Sequence, residues 1–439
     1  MNCQILRTLY LKANGIIPCE DNRGEWIDLG KVSLDPDWSI EQVLNNEHYA
    51  QIRSALAAGE MPWPKTCADC AMLRPHQPVK DTIAQKRIEK LQIETTLACA
   101  LRCPGCSSLG QLALRSKPHT LPLEIYERLL QSLADEGYRI DFIEYCGQGE
   151  PLAHPKFAEF VRIGRRLFPE TKQRLVTNGN YSYAKKLEGE YIDEIYVSAD
   201  GITQENYEKY RVRGNIELAK QFMRDAADPG AQMRPLLVWK YILFEFNHSD
   251  EEIRAAHDFA VEAKIGMLMF ILTKTEYHSQ RYTPQTYPNI LLLAPSARLS
   301  MTPDFLREAE NDQPRREARL NLVHARRWRA RTTCHADFMG VYPGMISVVG
   351  WAAGLKGQRI RKIEIKSNGR SLGRAQHGLH RPEVSAFLGD PDADRAGFAF
   401  AAPWTGDTAY PERLDIHLTI GWGRTEHFVW WAERPDQVW

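Results

Sequence analysis

The sequence predicts an α/β fold: a partial (β/α)6 barrel, preceded by a small cysteine-bearing domain and followed by an antiparallel β-sandwich. Three observations lead there. Between residues 80 and 330, apolar runs with strand periodicity alternate with helical patterns, which calls for parallel strands joined by helical crossovers. The nine cysteines are grouped: four lie in the first seventy residues and three between 99 and 106. Beyond residue 340 the helical patterning gives way to short alternating runs separated by glycine turns. The domains expected are 1–78, 80–330 and 340–439.

At 439 residues the chain is long enough for several domains, and 43% hydrophobic with 26% charged residues is globular composition. The 56 basic side chains balance the 56 acidic ones, which argues against a protein that wraps nucleic acid. No run of eighteen apolar residues exists, so no membrane span is expected. Met1-Asn2-Cys3-Gln4-Ile5 lacks the charged and apolar regions of a signal peptide. Cysteine-rich without export signals, the chain reads as cytoplasmic and reduced, with thiols that ligate metal rather than form disulfides.

In the N-terminal region, Leu11 to Cys19 reads as a hairpin turning at Asn14-Gly15, which would bring Cys3 and Cys19 together. A Leu29-Gly30 step follows, then one helix from Ser39 to Ala57 with Ser39 as N-cap, then the pair Cys67 and Cys70. Four thiolates in two pairs suit a closed [4Fe–4S] cluster or a structural zinc, and both remain open at this level.

The core begins with strand 88–93, which runs into Cys99-Ala100-Leu101-Arg102-Cys103-Pro104-Gly105-Cys106. A loop this short can fold three thiolates around one iron–sulfur cube and leaves its fourth iron open; zinc prefers four closed ligands. Strands 140–145, 174–177, 194–198, 236–246 and 267–272 follow, with helices at 122–136, 155–168, 182–188, 203–210, 215–226 and 249–264. Chemistry in such barrels gathers at the C-terminal strand ends. There stand Cys146-Gly147-Gln148-Gly149-Glu150-Pro151, Thr177-Asn178-Gly179, Ser198-Ala199-Asp200-Gly201 and, on a strand, Lys240.

The C-x3-C-x2-C spacing, with the Gly147-Gln148-Gly149-Glu150-Pro151 run one strand later, resembles the radical S-adenosylmethionine (radical SAM) superfamily and its TIM-like partial barrel. The resemblance implies a [4Fe–4S] cluster on Cys99, Cys103 and Cys106, with S-adenosylmethionine on the open iron. It further implies cofactor contacts from Gly147, Gly149, Glu150, Asn178, Ser198, Asp200 and Lys240, and from Arg211 (or Arg213) on the methionine carboxylate. Reductive cleavage to a 5′-deoxyadenosyl radical, hydrogen abstraction from a substrate and an external electron donor such as flavodoxin or ferredoxin are the activity it implies. One position departs from the family: the residue before the third cysteine, often an aromatic near the adenine, is Gly105. Cys146, beside the glycines, is a candidate hydrogen donor or a small buried residue.

The order Cys3, Gly15, Cys19, Leu29-Gly30, helix, Cys67 and Cys70 resembles the auxiliary-cluster unit of SPASM and Twitch domains, placed here before the core. That implies a second [4Fe–4S] cluster on Cys3, Cys19, Cys67 and Cys70 and inclines the substrate towards a peptide, as in peptide maturases. The gap from Gly15 to Cys19 is one residue shorter than the commonest pattern.

From Tyr282 to Arg331 the pattern loosens; Arg315, Arg316, Arg319, Arg326, Arg327, Arg329 and Arg331 crowd one segment, as a solvated helix face or a phosphate site, and Cys334 follows. The terminal alternating runs Ile346/Val348, Ile363/Ile365 and Ile416/Leu418/Ile420 read as sandwich strands. Trp351, Trp404 and Trp422 are candidates to stack on sugars, and the stretches Gly350-Trp351-Ala352 and His380 to Val384 resemble modules of bacterial glycan-assembly proteins, which inclines the substrate towards a sugar or glycan. A non-catalytic iron–sulfur electron carrier or scaffold is the alternative of another class.

Overall fold

A computed structural model describes residues 1–19, 27–68, 70, 72–74, 78–106, 119–228, 230, 233–275, 277–283, 287–302, 323–324, 331–342, 345–355, 358–367, 369–379, 381, 384–385, 388, 390–403, 413–421 and 423–431. Among the sequence expectations, Asp69, Arg315, Arg316, Arg319, Arg326, Arg327, Arg329, Asn368, His380, Pro382, Glu383, Trp404 and Trp422 lie outside the described residues. The chain divides into two compact units, Met1–Lys240 and Tyr241–Trp439.

The main sheet is parallel and has eight strands: β1 (Thr8–Leu11), β2 (Lys90–Ile93), β3 (Phe142–Tyr145), β4 (Lys172–Thr177), β5 (Glu194–Ser198), β6 (Leu236–Ile242), β7 (Met267–Leu272) and β8 (Arg298–Met301). They lie side by side in chain order. The six strands expected from the alternating pattern are β2 to β7, and two more flank them. Strand β1 comes from the N-terminal region, so the boundary expected at residue 78 does not separate that region from the sheet. Its pairing is parallel, Leu9 opposite Leu91 and Leu11 opposite Ile93, and all four side chains are buried. The predicted hairpin is therefore corrected. Gly15 does turn, at φ +81°, but Leu11 and Leu9 find their apolar partners on β2, while Ile16–Pro18 pairs antiparallel with Asp28–Lys31.

The single helix expected over 39–57 is two, Ile40–Leu44 and α1 (Glu47–Ala58). Asn46 caps the second by accepting from the Tyr49 N–H, an alternative that short polar side chains offer the backbone. Ser39 holds the N-cap position of the first helix without a side-chain cap bond, and the Ile40 N–H donates to Ser132 Oγ.

The crossovers follow the expected order: α2 (Leu123–Asp135), α3 (Phe157–Leu167), α4 (Tyr183–Leu187), α5 (Gln204–Tyr210) and α6 (Ile216–Ala227). Helix α3 buries Phe157, Phe160, Val161 and Gly164 on one face, as a 3.6-residue period requires. A Cβ on Gly164 would stand 3.0 Å from the hydroxyls of both Tyr126 and Tyr145, so the missing side chain lets the helix sit close to the sheet. These hydroxyls bond each other at 3.1 Å, and Tyr145 reaches Gln173 Oε1 at 2.7 Å.

The second unit carries helix α7 (Asp250–Glu262), then β7 and β8. The loosened pattern after Tyr282 concealed β8; the Tyr287 hydroxyl pins it, accepting from Ser300 N–H at 2.7 Å and donating to Phe270 O. Two antiparallel sheets follow. One has four strands, in the order Thr332–Tyr342, Met345–Gly354, Gly397–Pro403 and Gln376–Leu379. The other has five, in the order Val323–His324, Arg424–Trp431, Arg413–Ile420, Ile360–Ser367 and Arg370–Arg374. One buried cluster draws Ile346, Val348, Phe398 and Phe400 from the first and Ile363, Ile365, Ile416, Leu418 and Phe428 from the second. The inward positions read from alternation are the buried ones. Cys334 belongs to this same apolar cluster. No helix among the described residues is long and apolar enough to cross a membrane.

Candidate functional site

Strand β2 delivers the cysteine loop at its C-terminal end. The loop is anchored on both sides: Leu97 N–H donates to His119 O at 2.9 Å, and Arg102 N–H to Val212 O at 3.0 Å. The Arg102 guanidinium also folds back onto the carbonyls of Cys99 and Leu101. A further backbone bond, Glu150 N–H to Ala98 O at 2.8 Å, ties it to the glycine-rich loop after β3.

The two glycines of that loop are required by packing. A Cβ on Gly149 would lie 1.9 Å from the carbonyl oxygen of Thr96, and one on Gly147 2.5 Å from Glu94 Cγ. The space a side chain would need is filled by the protein's own chain, so the glycines let the two loops touch.

Glu150 is buried and accepts hydrogen bonds from Leu152 N–H (3.1 Å), Thr177 Oγ1 (2.7 Å) and Asn178 N–H (2.8 Å). Burial pushes its carboxyl up, against the lowering effect of these donors. It thereby clamps the end of β4, from which the Asn178 amide reaches Cys99 Sγ at 3.8 Å.

Asp200, fully buried after β5, pairs with Arg211 at 2.6 Å through both Nε and Nη2. Removing one partner of such a pair costs about 3–5 kcal/mol. The remaining guanidinium nitrogen lies 3.8 Å from Cys103 Sγ. Burial pushes the Cys103 thiol up, and Arg211 opposes it. Arg211, expected on a methionine carboxylate, is thus already engaged, while Arg213 is exposed. Ser198 and Lys240 stand opposite each other in register on β5 and β6. The Cys146 thiol is pushed up to about 12 by burial and Glu144, with Lys240 and Lys90 pulling the other way.

Sequence reasoning missed Glu94, Gln148, Tyr181 and Tyr210. Glu94 accepts from the Tyr10 hydroxyl (3.0 Å), Ala13 N–H (3.2 Å) and Gln148 N–H (2.8 Å), linking the N-terminal segment to the glycine loop. An acidic residue directly after a buried strand was its available signal. Gln148 Oε1 is buried with no hydrogen-bond partner among the described residues. Burial, then Glu150 and Cys99, push the Tyr181 hydroxyl up. Tyr210 had no sequence signal, because only the end of α5 carries it to Gly105.

The second group of cysteines also comes together. Cys3, Cys19, Cys67 and Cys70 line one cavity with Ile5, Ile52, Trp63 and Leu73. Among the described residues no three His, Cys, Asp or Glu side chains converge as a ready site for a single ion.

The sequence model of the radical SAM superfamily matches residues 93–260. This stretch, from the last residue of β2 into α7, is a radical SAM domain and contains the cysteine loop, the glycine loop and the Asp200–Arg211 pair. The chain is 32% identical over 157 residues to the protein named "Probable GTP 3′,8-cyclase" of Methanococcus aeolicus, covering 35% of this chain and 50% of that one. To the PqqA peptide cyclase of Gluconobacter oxydans it is 31% identical over 122 residues, 27% of this chain and 32% of the other. The chain thus spans half or less of the length of these relatives. The crystal structure of Streptococcus suis SuiB bound to precursor peptide SuiA aligns with 67% of this chain and 71% of that one, at 15% identity and a TM-score of 0.37.

Proposed function

We propose that this protein is a radical SAM enzyme whose [4Fe–4S] cluster is held by Cys99, Cys103 and Cys106. The observation that carries the reading is the pair of polar groups brought to two of those thiols from separate elements, Asn178 from the end of β4 at Cys99 and Arg211 from the end of α5 at Cys103. The donor set fits the group. Each cysteine of an iron–sulfur cube binds a different iron, so three thiols on one loop need not converge on a single point. The orphaned Gln148 Oε1 is an acceptor suited to a ligand's ammonium or hydroxyl. When bound, the cluster supplies the electron for reductive cleavage of S-adenosylmethionine to methionine and a 5′-deoxyadenosyl radical, which takes hydrogen from the substrate; an external donor such as flavodoxin or ferredoxin replaces the electron.

The chain's own residues hold the parts in place. The loop of Gly147, Gln148 and Gly149, with Ser198 and Lys240, would bind S-adenosylmethionine at the strand ends. Glu150, Asn178, Asp200 and Arg211 form the frame behind the cysteine loop. The six crossover units make up the partial barrel of such enzymes. Residues 1–78 are a SPASM/Twitch-like unit, supported by the four-cysteine cavity; a second [4Fe–4S] cluster is the proposed occupant, and zinc its competitor. The two C-terminal sheets with their shared core form a β-sandwich.

For the substrate, the auxiliary-site cavity favours a peptide, the class named for the Gluconobacter relative. The sugar reading has less support: Trp351 packs against the small buried cluster of Ala353, Val384, Ala393 and Ala396.

The test is anaerobic reconstitution of the full chain with iron and sulfide, then reduction by dithionite with S-adenosylmethionine. Release of 5′-deoxyadenosine and methionine is expected, and Cys103→Ala abolishes it. Turnover persisting in that variant overturns the cluster assignment. An iron-loaded protein that leaves S-adenosylmethionine intact is instead an electron carrier or scaffold.

A further inference from the structure

Two buried carboxylates stand behind the cysteine loop, and each holds a nitrogen donor that faces a different thiol. Asp200 occupies two nitrogens of Arg211 at 2.6 Å and leaves Nη1 at 3.8 Å from Cys103 Sγ. Glu150 accepts the backbone N–H of Asn178 at 2.8 Å, and the side-chain Nδ2 of that residue lies 3.8 Å from Cys99 Sγ. The first assembly comes from the β5 end and the residue after α5, the second from the loop after β3 and the β4 end. They share no residue and reach the same loop from different strands.

We infer that Asp200–Arg211 and Glu150–Asn178 are two positioning relays that set the reduction potential of the cluster held by the Cys99–Cys106 loop. The inference rests on the cluster assignment proposed above. Hydrogen bonds and positive charge directed at cluster sulfurs stabilise the reduced, more negative state and raise the potential. Arg211 acts through charge and an N–H, Asn178 through an N–H alone. Each carboxylate fixes its donor: Asp200 consumes the rest of the guanidinium fork, and Glu150 fixes the backbone from which the amide projects. Arg211 also lies over the ring of Tyr210, 5.4 Å from its centroid, which further limits its swing. The cluster would thus be easier to reduce than its three thiolates alone would make it.

The experiment is an EPR-monitored redox titration of the full-length, anaerobically reconstituted protein without S-adenosylmethionine, so that turnover plays no part. Four forms are compared: wild type, Asn178→Ala, Arg211→Lys, and the double variant Asp200→Asn with Arg211→Gln, which leaves no lone buried charge. At unchanged iron content, Asn178→Ala and the double variant shift the midpoint to more negative values. Arg211→Lys, which keeps the charge and loses the fork, falls between wild type and the double variant. A lowered melting temperature with an unmoved midpoint in both Asn178→Ala and the double variant marks a structural role only and overturns the inference. A wild-type protein that takes up no cluster on Cys99, Cys103 and Cys106 defeats the cluster assignment itself, a result distinguishable from unmoved midpoints in loaded protein.

Discussion

A Cβ placed on Gly105 would stand 2.7 Å from the hydroxyl oxygen of Tyr210. The residue before the third cysteine is therefore a glycine because an aromatic side chain from the end of α5 already occupies the adjoining space. Tyr210 brings an aromatic ring next to this position from about a hundred residues further along the chain. Gly105→Ala should strain the loop by about 1–3 kcal/mol, as overpacking does, and weaken cluster retention. Tyr210→Phe removes the offending oxygen and should restore much of the loss in the double variant. Iron content after desalting, measured on the four-member cycle, checks the coupling.

Gly149 faces a harder obstacle, since its Cβ would meet backbone rather than the tip of a side chain. Gly149→Ala should separate the glycine loop from the cysteine loop and cost more than Gly147→Ala, where the nearest atoms belong to the Glu94 side chain. Thermal unfolding and S-adenosylmethionine binding by calorimetry should both rank the variants in that order.

Cys146 should be almost inert to alkylation at pH 8 in the folded protein. Burial raises its pKa from the ordinary 9.0 to about 12, so its thiolate fraction falls about a thousandfold. Because the folded value is the higher, the unfolded thiol ionises first, and this group's stabilising contribution is lost as pH rises from about 9 to about 12. Site-resolved iodoacetamide labelling read by mass spectrometry, native against denaturant-unfolded, measures the ratio.

Deletion of the first 78 residues should unfold or aggregate the protein, because β1 is an edge strand of the main sheet. Leu9 and Leu11 are fully buried there and contribute about 1.5–3 kcal/mol each. The N-terminal thiols are better tested in the full chain: Cys67→Ser with Cys70→Ser should lower the iron content from about eight to about four per chain while the cluster at Cys99–Cys106 remains. Unchanged iron in the folded double variant would return the cavity to zinc or to a purely structural role.

The sequence by itself determined the central pattern. Period-two runs such as Leu91 and Ile93 marked the strands β2 to β7, and the spacing of Cys99, Cys103 and Cys106 marked the site, since both are local properties of the chain. It also placed Asn178, Ser198 and Asp200 at strand ends and Lys240 on a strand. Only the tertiary structure decided what those residues face. Glu150 and Asp200 turn inward because a buried carboxylate must find donors, and those donors are Thr177, Asn178 and Arg211 on other segments. Strand β8 escaped notice, and the strand before Asn14-Gly15 was given the wrong partner, for a related reason: an edge strand is defined by its single partner, and a few residues do not announce which one it is. The glycines, expected from the resemblance to contact the cofactor, also let the chain pack against itself, because close contact between two loops leaves no trace in either sequence alone.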